Sequence, residues 1–459
     1  MSLGASSTNE PRSVLVLGFG LAGASAAIAA HDAGAKVTVL EKMSYGGGNA
    51  LNSGGYLANV EGPHAVDHFD ALCFGKTPRD VLSVFVDGLN GMSDWLRSLG
   101  GETNPVDLAD FGGMLPAWPH FPAAGSVTYR QFAPQAGDRP GPGLFRLLRE
   151  NVERRGIEVH YDTPATDLVV EDGRVVGANG IRADAVVLTA GGFEYDKQMR
   201  EAFLPLPVTP VGHPGNTGDA IRLAQQADAS LWNMSACFGW FSFEHPDHVA
   251  AFTLDVLAPS FIFVDGEGRR FGDETGFEMH DRLRSLTNYL PRRPNRPHMP
   301  GWLVFDEAAR LAGPLHGFGF VPLEARGIGS PNQYDWSLDN SAELEKGWIV
   351  PIEEVDAPEL ERTLEGYGSV PDEFGRDPRT IVPLEPPLYA IPIRPGVAIA
   401  TGGPRHDAQA RVLRSDGSPV PGLWGSSGLI SGYLVEHGAS LTNAMVFGRV
   451  AGEGAAKAA

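Results

Sequence analysis

The stretch Val14-Leu15-Val16-Leu17-Gly18-Phe19-Gly20-Leu21-Ala22-Gly23 decides the fold of this chain. Its four consecutive apolar residues are typical of a strand that is buried on both faces. An alanine-rich helix is predicted over 24–31, and a second strand over 36–40 leads to Glu41. Glycines in the spacing G-x-G-x-x-G between a strand and a helix predict a dinucleotide site. Glu41 lies about 20 residues after the first glycine, where an acidic residue accepts hydrogen bonds from a ribose.

The residues of this turn are expected to serve the ligand in different ways. Gly18 permits the tight turn, Gly20 lets a pyrophosphate approach the backbone, and Gly23 lets the helix pack closely on the strand. The phosphates then lie at the helix N-terminus beside Leu21 and Ala22, because free N–H groups and the helix dipole favour anions there.

The composition indicates a globular protein with many turns. The chain has 459 residues, of which 58 are glycine and 36 are proline. Glycine is therefore roughly twice as frequent as the average of about 7%, while 42% of the residues are hydrophobic. The length allows about two to four domains, or one large domain with an insertion.

The charge and the cysteines exclude several classes of function. Acidic residues outnumber basic ones by 56 to 36, and the net charge of −20 disfavours nucleic acids and anionic membranes as partners. The two cysteines have no CxxC spacing and the histidines have no metal-ligand spacing, so neither a disulfide scaffold nor a metal site is predicted. The uncharged stretch 13–30 is long enough for a membrane span, but its glycines fit the dinucleotide turn better. We predict a cytoplasmic protein without a membrane span.

Beyond the opening motif, helix-like and strand-like segments alternate up to about residue 230. Predicted in turn are mostly helical residues 60–100, an irregular loop over 104–142, a helix over 144–155, a strand over 157–161, a hairpin over 165–176, a buried strand over 185–193 and a helix over 220–227. Short strands and loops follow from about 231, and the glycine-rich pattern returns at about 387. We predict a nucleotide-binding domain split into 1–230 and 387–459, with a capping domain inserted at 231–386.

Further glycine-rich motifs follow in order along nearly the whole chain. They are residues 46–55, Thr189-Ala190-Gly191-Gly192-Phe193, Asn216-Thr217-Gly218-Asp219, residues 263–274, 401–407 and 421–428, and Gly438-Ala439-Ser440-Leu441-Thr442-Asn443-Ala444. With these motifs the chain resembles the fumarate reductase/succinate dehydrogenase flavoprotein superfamily. The soluble branch of that superfamily includes fumarate and urocanate reductases and 3-ketosteroid dehydrogenases.

The resemblance implies an α/β fold, in which a Rossmann-like FAD-binding domain, split in sequence, carries an inserted α+β capping and catalytic domain. It implies FAD as the cofactor, bound non-covalently because the loop 46–55 lacks the histidine that relatives use for covalent attachment. The last helix, starting near Ser440, is expected to aim its N–H groups at the flavin. The predicted FAD-contacting residues are Gly18, Gly20, Leu21, Ala22, Gly23, Glu41, Lys42, Gly47, Gly48, Asn49, Ser53, Gly54, Gly55, Ala165, Thr189, Ala190, Gly191, Asn216, Gly218, Asp219, Ser427, Gly428, Ser440 and Leu441.

The motifs that bind a dicarboxylate in relatives are altered in this chain. Carboxylate-reducing members carry a histidine before Thr-x-Gly-Gly, an arginine soon after the Asn-Glu of the cap strand, and another arginine before the last helix. Here the nearest arginine after Glu274 is Arg282, several positions late. A dicarboxylate needs paired guanidinium groups, so these departures argue against fumarate as the substrate.

The ketosteroid dehydrogenases provide a different template for catalysis. In them a tyrosine before the last helix polarises a ketone, and another tyrosine takes the proton next to the carbonyl. The candidate catalytic residues here are Tyr433 and His437 near the helix entry, Tyr129 in the predicted loop and Arg282 after the cap strands. Proton abstraction next to a carbonyl needs a base and a donor to the developing enolate, and the sequence leaves the identity of the base open.

Three functions compete at this point. The first is FAD-dependent α,β-desaturation of a cyclic ketone, a 3-ketosteroid or a smaller ring, by α-proton abstraction and hydride transfer to flavin N5. The second is reduction of an unsaturated carboxylic acid, as in fumarate reductases, and the third is a non-catalytic flavoprotein. No second G-x-G-x-x-G occurs in a strand context, so no bound NAD(P)H is predicted. The expected partners are a small-molecule substrate and an unknown electron acceptor.

Overall fold

Two sheets organise the structure, a computed structural model. The residues it describes are 11–107, 118–135, 138–204, 207–276, 278, 280–287, 298–317, 334–368, 371–430 and 433–458. One sheet, the nucleotide sheet, contains the opening strand of the sequence, and the other, the cap sheet, is built mainly from the middle of the chain.

The nucleotide sheet has six strands. In spatial order they are Arg411–Leu413, Pro419–Gly425, Ala185–Leu188, Ser13–Leu17, Lys36–Leu40 and Glu158–His160. Neighbouring strands are parallel, except that Arg411–Leu413 is antiparallel to its neighbour. The opening strand lies between two parallel partners and its residues 14–17 are buried, which explains why its sequence is continuously apolar.

Helices and short strands surround the nucleotide sheet. The helices that precede the cap are Leu21–Asp32, Gly48–Asn52, Ala65–Leu72, Arg79–Asn90, Met92–Ser98, Ala124–Ser126, Pro140–Arg154, Lys197–Phe203 and Asp219–Gln226. A three-stranded antiparallel sheet lies beside the nucleotide sheet. Its strands are Leu168–Glu171, Arg174–Ala178 and Ile181–Arg182. The uncharged stretch 13–30 forms a strand, a turn and a helix, and no helix within the described ranges is long and apolar enough to cross a membrane.

The first helix and the last helix, Ala439–Lys457, pack backbone against backbone. A Cβ added at Gly448 would lie 2.4 Å from the Ala22 carbonyl oxygen, and one added at Gly452 would lie 2.1 Å from that of Ala26. Only glycine fits at either position, because the neighbouring atoms belong to backbone. The contact sets the distance between the N-termini of the two helices, which run parallel.

The cap sheet is centred on the strand Leu388–Val397. The strands associated with it are Thr209–Pro210, Phe241–Phe243, Phe252–Thr253, Phe261–Val264, Gly301–Asp306 and Val350–Pro351. Its aromatic core includes Phe241, Phe252 and Trp336, which are buried. The cap helices are Arg282–Ser285, Glu307–Leu311, Ser341–Glu345, Ile352–Glu354, Leu360–Gly366 and Pro378–Thr380.

Part of the predicted irregular loop over 104–142 is regular structure. The strand Val127–Ala133 is the centre of a three-stranded antiparallel sheet, between Tyr56–Val60 and Glu102–Val106. Its buried residues, Tyr129 and Phe132, are three positions apart, so the strand lacks the period of two that identifies strands in a sequence. Residues 108–117 of the predicted loop lie outside the described residues.

The predicted division into 1–230, 231–386 and 387–459 stays a prediction. Sheet membership suggests a different second boundary, because Leu388–Val397 pairs with Gly301–Asp306 inside the cap sheet. The next residues, Ile399–Ala400 and Gly403–Pro404, form short antiparallel ladders with Cys237–Phe238 and Leu231–Trp232. We propose the same three segments with the second boundary after residue 397.

Candidate functional site

Two clefts meet where the nucleotide sheet, the cap and the last helix come together. The glycine-lined cleft is walled by Gly18, Gly20, Leu21, Ala22, Glu41, Lys42, Gly47, Gly48, Asn49, Ala165, Thr189, Ala190, Gly191, Asn216, Asp219, Ser427, Gly428, Ser440 and Leu441, together with neighbouring residues. The aromatic cleft is walled by residues that include Tyr56, Phe238, Trp240, His280 and His437. Asn49, Ile399, Ser440 and Leu441 line both clefts, so the two adjoin at these residues.

The glycine turn leaves room for a ligand against its backbone. Gly18 has a φ of +103°, in the region that favours glycine. Gly20 is the N-cap of the first helix, and a Cβ added there would meet no protein atom nearer than 3.7 Å. Gly23 differs, because its Cβ would lie 1.9 Å from the Gly18 carbonyl oxygen. The turn therefore exposes the first N–H groups of a twelve-residue helix, which suits an anion.

Glu41 and Lys42 stand at the end of the second strand. The Glu41 carboxylate accepts hydrogen bonds from the backbone nitrogens of Phe19 and Met43, each at 2.8 Å. Burial raises the pKa of this carboxyl, and the backbone donors oppose the rise. Lys42 Nζ donates to Thr217 Oγ1 and Asp219 Oδ2, each at 2.6 Å. Lys42 therefore ties the strand end to the start of another helix.

A buried carboxylate holds two amide side chains of the cleft wall. Glu194 is fully buried, and its Oε1 accepts from Asn49 Nδ2 at 3.0 Å and from Asn216 Nδ2 at 2.6 Å. Asn49 Oδ1 accepts from the backbone nitrogen of His213 at 2.7 Å. The hydrogen-bond partners of Glu194 in the described chain are neutral, and burial raises its pKa to about 7.

Glu194→Gln is expected to change how stability depends on pH. The carboxyl loses its proton near 4.5 in the unfolded chain and near 7 in the folded chain. The folded state therefore binds more protons between these values, and the free energy of unfolding falls as pH rises, by up to about 3 kcal/mol. The free energy of unfolding of the wild type and of the variant is measured by denaturant unfolding at several pH values between about 5 and 7. The variant should lack the fall that the wild type shows. An equal fall in both proteins would contradict the assignment.

The last helix begins where the two clefts join. Its N-cap, Gly438, has a φ of +74°, and a Cβ there would lie 2.7 Å from the backbone nitrogen of Ala58. Ser440 and Leu441, in the first turn, line both clefts. The first turn contains no acidic side chain, so the positive end of the helix dipole favours negative charge at this junction.

His437 is a buried polar group in the wall of the aromatic cleft. It is 6% exposed, and its ring centroid lies 4.7 Å from that of Tyr56 and 4.9 Å from that of His280. Its Nε2 is buried without a hydrogen-bond partner. Burial, and to a lesser extent the nearby His280, lowers its pKa to about 3, so the ring is neutral at ordinary pH. A buried polar atom without a partner among the described residues is uncommon in folded proteins, so His437 is a candidate functional residue.

A cluster of three buried polar side chains supports His437. Glu436 Oε1 accepts from the Tyr129 hydroxyl at 2.7 Å, and Glu436 Oε2 lies 2.7 Å from His68 Nε2. His68 Nδ1 lies 3.0 Å from the carbonyl oxygen of Pro122, which can only accept, so Nδ1 carries a proton. The backbone nitrogen of His437 donates to Glu436 at 3.1 Å. The cluster therefore fixes the turn that places His437.

The predicted catalytic residues near the last helix separate in the structure. His437 lines the aromatic cleft. Tyr129 packs against it with ring centroids 5.7 Å apart, but the Tyr129 hydroxyl donates to Glu436. Tyr433 lines neither cleft, because its ring is turned toward Lys76, whose Nζ lies 4.0 Å from the ring centroid. As a catalytic residue, Tyr433 stays a prediction.

The predicted arginine in the cap, Arg282, lies beside an aspartate, and its Nε is buried without a hydrogen-bond partner among the described residues. Arg282 Nη1 lies 3.6 Å from Asp255 Oδ1, and its neighbour Arg284 donates to the carbonyl oxygens of Cys237 and Tyr433. Among the residues that the structure describes, the walls of the aromatic cleft contain Asp255 but neither of these arginines.

A few predicted cofactor residues do not line the glycine-lined cleft. They are Gly23, Ser53, Gly54, Gly55 and Gly218. Ser53 and Gly54 line the aromatic cleft instead. The three others have packing roles: a Cβ at Gly55 would lie 2.7 Å from the Pro140 backbone carbon, and one at Gly218 would lie 2.4 Å from a methionine sulfur. As FAD contacts, all five remain predictions.

Sequence reasoning missed several residues of the aromatic cleft and its support. They are Tyr56, Phe238, Trp240, Glu194 and Glu436. One signal was available, because Glu436-His437 interrupts the apolar run of Leu434 and Val435 directly before a glycine helix entry. No comparable signal marks Phe238 and Trp240, since aromatic residues on short strands usually fill cores. In the described part of the chain, no three His, Cys, Asp or Glu side chains are grouped to hold a metal.

The chain is similar to flavoproteins over nearly its whole length. A family model described as FAD binding domain matches residues 13–425. Fumarate reductase (cytochrome) of Shewanella frigidimarina is 27% identical over 496 residues, which cover 99% of this chain and 78% of that protein. The 3-oxosteroid 1-dehydrogenase of Mycolicibacterium smegmatis is 24% identical over 571 residues, which cover 97% of each chain.

A solved structure has the same fold. It is 3-ketosteroid delta1-dehydrogenase from Sterolibacterium denitrificans in complex with 1,4-androstadiene-3,17-dione, with a TM-score of 0.80 and 22% identity over 98% of this chain and 100% of that chain. This similarity confirms the predicted fold class.

Proposed function

The chain belongs to the FAD binding domain family, and from that premise we propose that it desaturates a cyclic ketone next to the carbonyl group. The family confirms the predicted FAD cofactor, and the chain is an FAD-dependent oxidoreductase of the class that acts on CH–CH bonds. We propose the ketone substrate, the non-covalent attachment of FAD and the cytoplasmic location. The electron acceptor stays open.

The observation that carries the ketone proposal is the unpartnered Nε2 of His437. That nitrogen belongs to a wall residue of the aromatic cleft, which adjoins the glycine-lined cleft, and the ring is neutral. A neutral imidazole that carries its proton on Nε2 donates a hydrogen bond to a carbonyl oxygen, and the bond strengthens as that oxygen gains negative charge. The N-terminus of the last helix favours the same charge.

The glycine-lined cleft has the features that FAD requires. The first helix offers its N–H groups beside Gly20 to the pyrophosphate, and Glu41 can accept from a ribose hydroxyl. Ser440 and Leu441 would lie at the flavin end, where the two clefts join. When bound, FAD supplies the acceptor for a hydrogen that leaves carbon with its electron pair.

The walls of the aromatic cleft favour a ketone over a dicarboxylate. The described wall residues include Tyr56, Phe238 and Trp240 but no lysine or arginine. A dicarboxylate in such a site would lose its water without gaining a cation. This composition supports the desaturase over reduction of an unsaturated acid, and the presence of a substrate-sized cleft beside the FAD site supports an enzyme over a non-catalytic flavoprotein.

Anaerobic mixing with ketones tests the proposal. The purified FAD-loaded protein, mixed with cyclohexanone and separately with a saturated 3-oxosteroid, should lose the visible absorption band of oxidised flavin and form the α,β-unsaturated ketone. Fumarate and acrylate, added to protein reduced with dithionite, should leave the flavin reduced. Reoxidation by either acid, with no bleaching by either ketone, would establish the reductase instead.

A further inference from the structure

We propose that His280, oriented by Glu278, is the base that takes the proton from the α-carbon of the ketone. The inference rests on the proposed function and adds the proton acceptor that the function needs.

His280 lies in the wall of the aromatic cleft, directly beside the proposed carbonyl donor. Its ring centroid is 4.9 Å from that of His437, 5.6 Å from that of Trp240 and 5.7 Å from that of Phe238. The side chain is 17% exposed, so it is partly shielded from water and open to the cleft. A carbonyl oxygen at His437 would therefore place the neighbouring α-carbon on the side of the cleft that contains His280.

Glu278 fixes the His280 ring through two hydrogen bonds. Glu278 Oε1 lies 2.9 Å from His280 Nδ1, and Glu278 Oε2 accepts from the His280 backbone nitrogen at 2.8 Å. Because a carboxylate can only accept, Nδ1 carries the proton in this arrangement. Nε2 then presents a lone pair, and no hydrogen bond to it is present in the described chain. A carboxylate that orients an imidazole in this way produces a base ready for use.

Four other polar groups near the cleft are less suitable as the base. Tyr129 donates its hydroxyl proton to Glu436, and Tyr433 lies outside the cleft. Burial raises the pKa of Tyr56, so its phenolate is rarer than that of an ordinary tyrosine. Asp255 has a side-chain exposure of 46% and lies beside Arg282, and both features weaken it as a base.

The proposed step conserves atoms and charge. The bond between the α-carbon and its hydrogen breaks, and the proton moves to His280 Nε2. The bonding electrons move toward the carbonyl oxygen, which receives the hydrogen bond from His437. FAD, when bound, would supply the acceptor for the hydrogen that leaves the β-carbon with its electron pair, so that the double bond can form. His280 returns its proton to water when the product leaves.

Exchange of hydrogen at the α-carbon tests this assignment separately from oxidation. With FAD kept reduced by dithionite, no net desaturation occurs, and the loss of deuterium from α-deuterated cyclohexanone or 3-oxosteroid into water is followed by NMR. The wild-type protein should accelerate the loss, and His280→Gln should lower that acceleration about 10²-fold. In separate anaerobic mixing with oxidised FAD, the same variant should slow bleaching by a similar factor.

Matched variants separate a chemical role from a structural one. Glu278→Gln should give a smaller loss in both assays, since the base remains but is less well oriented, and His280→Asn supplies a second removal if the Gln variant does not fold. His64→Gln, whose side chain is 73% exposed, should match the wild type. All variants should retain flavin absorbance and ketone affinity.

The outcomes distinguish the two proposals. If the wild-type protein neither bleaches nor exchanges hydrogen with any ketone, the ketone function itself is wrong. If the wild-type protein does both, and the His280 variants stay within about threefold of it, the desaturase stands and His280 is not its base.

Discussion

His437→Phe is expected to slow the anaerobic reduction of FAD by a ketone on the order of 10²–10³-fold. Phenylalanine keeps a ring beside Tyr56 and Tyr129 but removes the nitrogen that would donate to the carbonyl oxygen. The loss should fall on the rate of reduction at saturating ketone more than on ketone affinity, because the hydrogen bond strengthens as negative charge develops. Stopped-flow absorbance of the flavin band measures both quantities.

His437→Gln provides the matched comparison. Its side-chain amide also donates, so this variant should recover part of the rate that phenylalanine loses. Neither variant should shift the pH dependence of the reaction in the range above about pH 5, since burial lowers the pKa of His437 to about 3. A phenylalanine variant that reduces FAD at the wild-type rate would remove His437 from the reaction.

Gly20→Ala and Gly23→Ala are expected to separate cofactor binding from folding. The Gly20 methyl would meet no protein atom within 3.7 Å, so the apoprotein should keep its stability, while FAD affinity should fall at least about tenfold, or about 1.4 kcal/mol. The Gly23 methyl would overlap the Gly18 carbonyl oxygen at 1.9 Å. That variant should be destabilised by more than the about 1–3 kcal/mol typical of overpacking, because the backbone must move.

Two measurements on each glycine variant separate an effect on cofactor binding from an effect on folding. Denaturant unfolding of the apoprotein gives stability, and titration with FAD gives affinity. Gly366→Ala is the control, since a Cβ there meets nothing within 4 Å. A Gly20 variant that binds FAD as tightly as the wild type would show that the cofactor does not lie against that residue.

The fold was predictable where local sequence signals and tertiary structure agree. The glycine motif fixed the strand, turn and helix at 13–32, and the parallel order of the nucleotide sheet followed from it. The strand Val127–Ala133 escaped prediction because its burial lacks a period of two. The predicted boundary at 387 places the strand Leu388–Val397 in the second FAD-binding segment. Its pairing with Gly301–Asp306 favours the cap, and only pairing between residues distant in sequence reveals this.

The two clefts differ in how much of them the sequence reveals. Residues of the glycine-lined cleft are identifiable in the sequence. A phosphate can approach the backbone closely only where no side chain intervenes, and glycine is required at such positions. Residues of the aromatic cleft are ordinary side chains whose roles come from their neighbours. His280 acquires its proposed role from Glu278 and from its position beside His437. Tyr433, whose ring turns toward Lys76, stays a predicted catalytic residue.

The backbone contact between the first and last helices has a mechanical consequence. Gly448 and Gly452 hold these helices so closely that the span between the pyrophosphate end and the flavin end of the cofactor site is constant. The far wall of the aromatic cleft belongs to the cap, which meets the near wall through the short ladders at residues 399–404 and through the pairing of Thr209–Pro210 with the cap strand Leu388–Val397. Rotation of the cap would therefore change the room for a substrate ring without changing the length available to FAD.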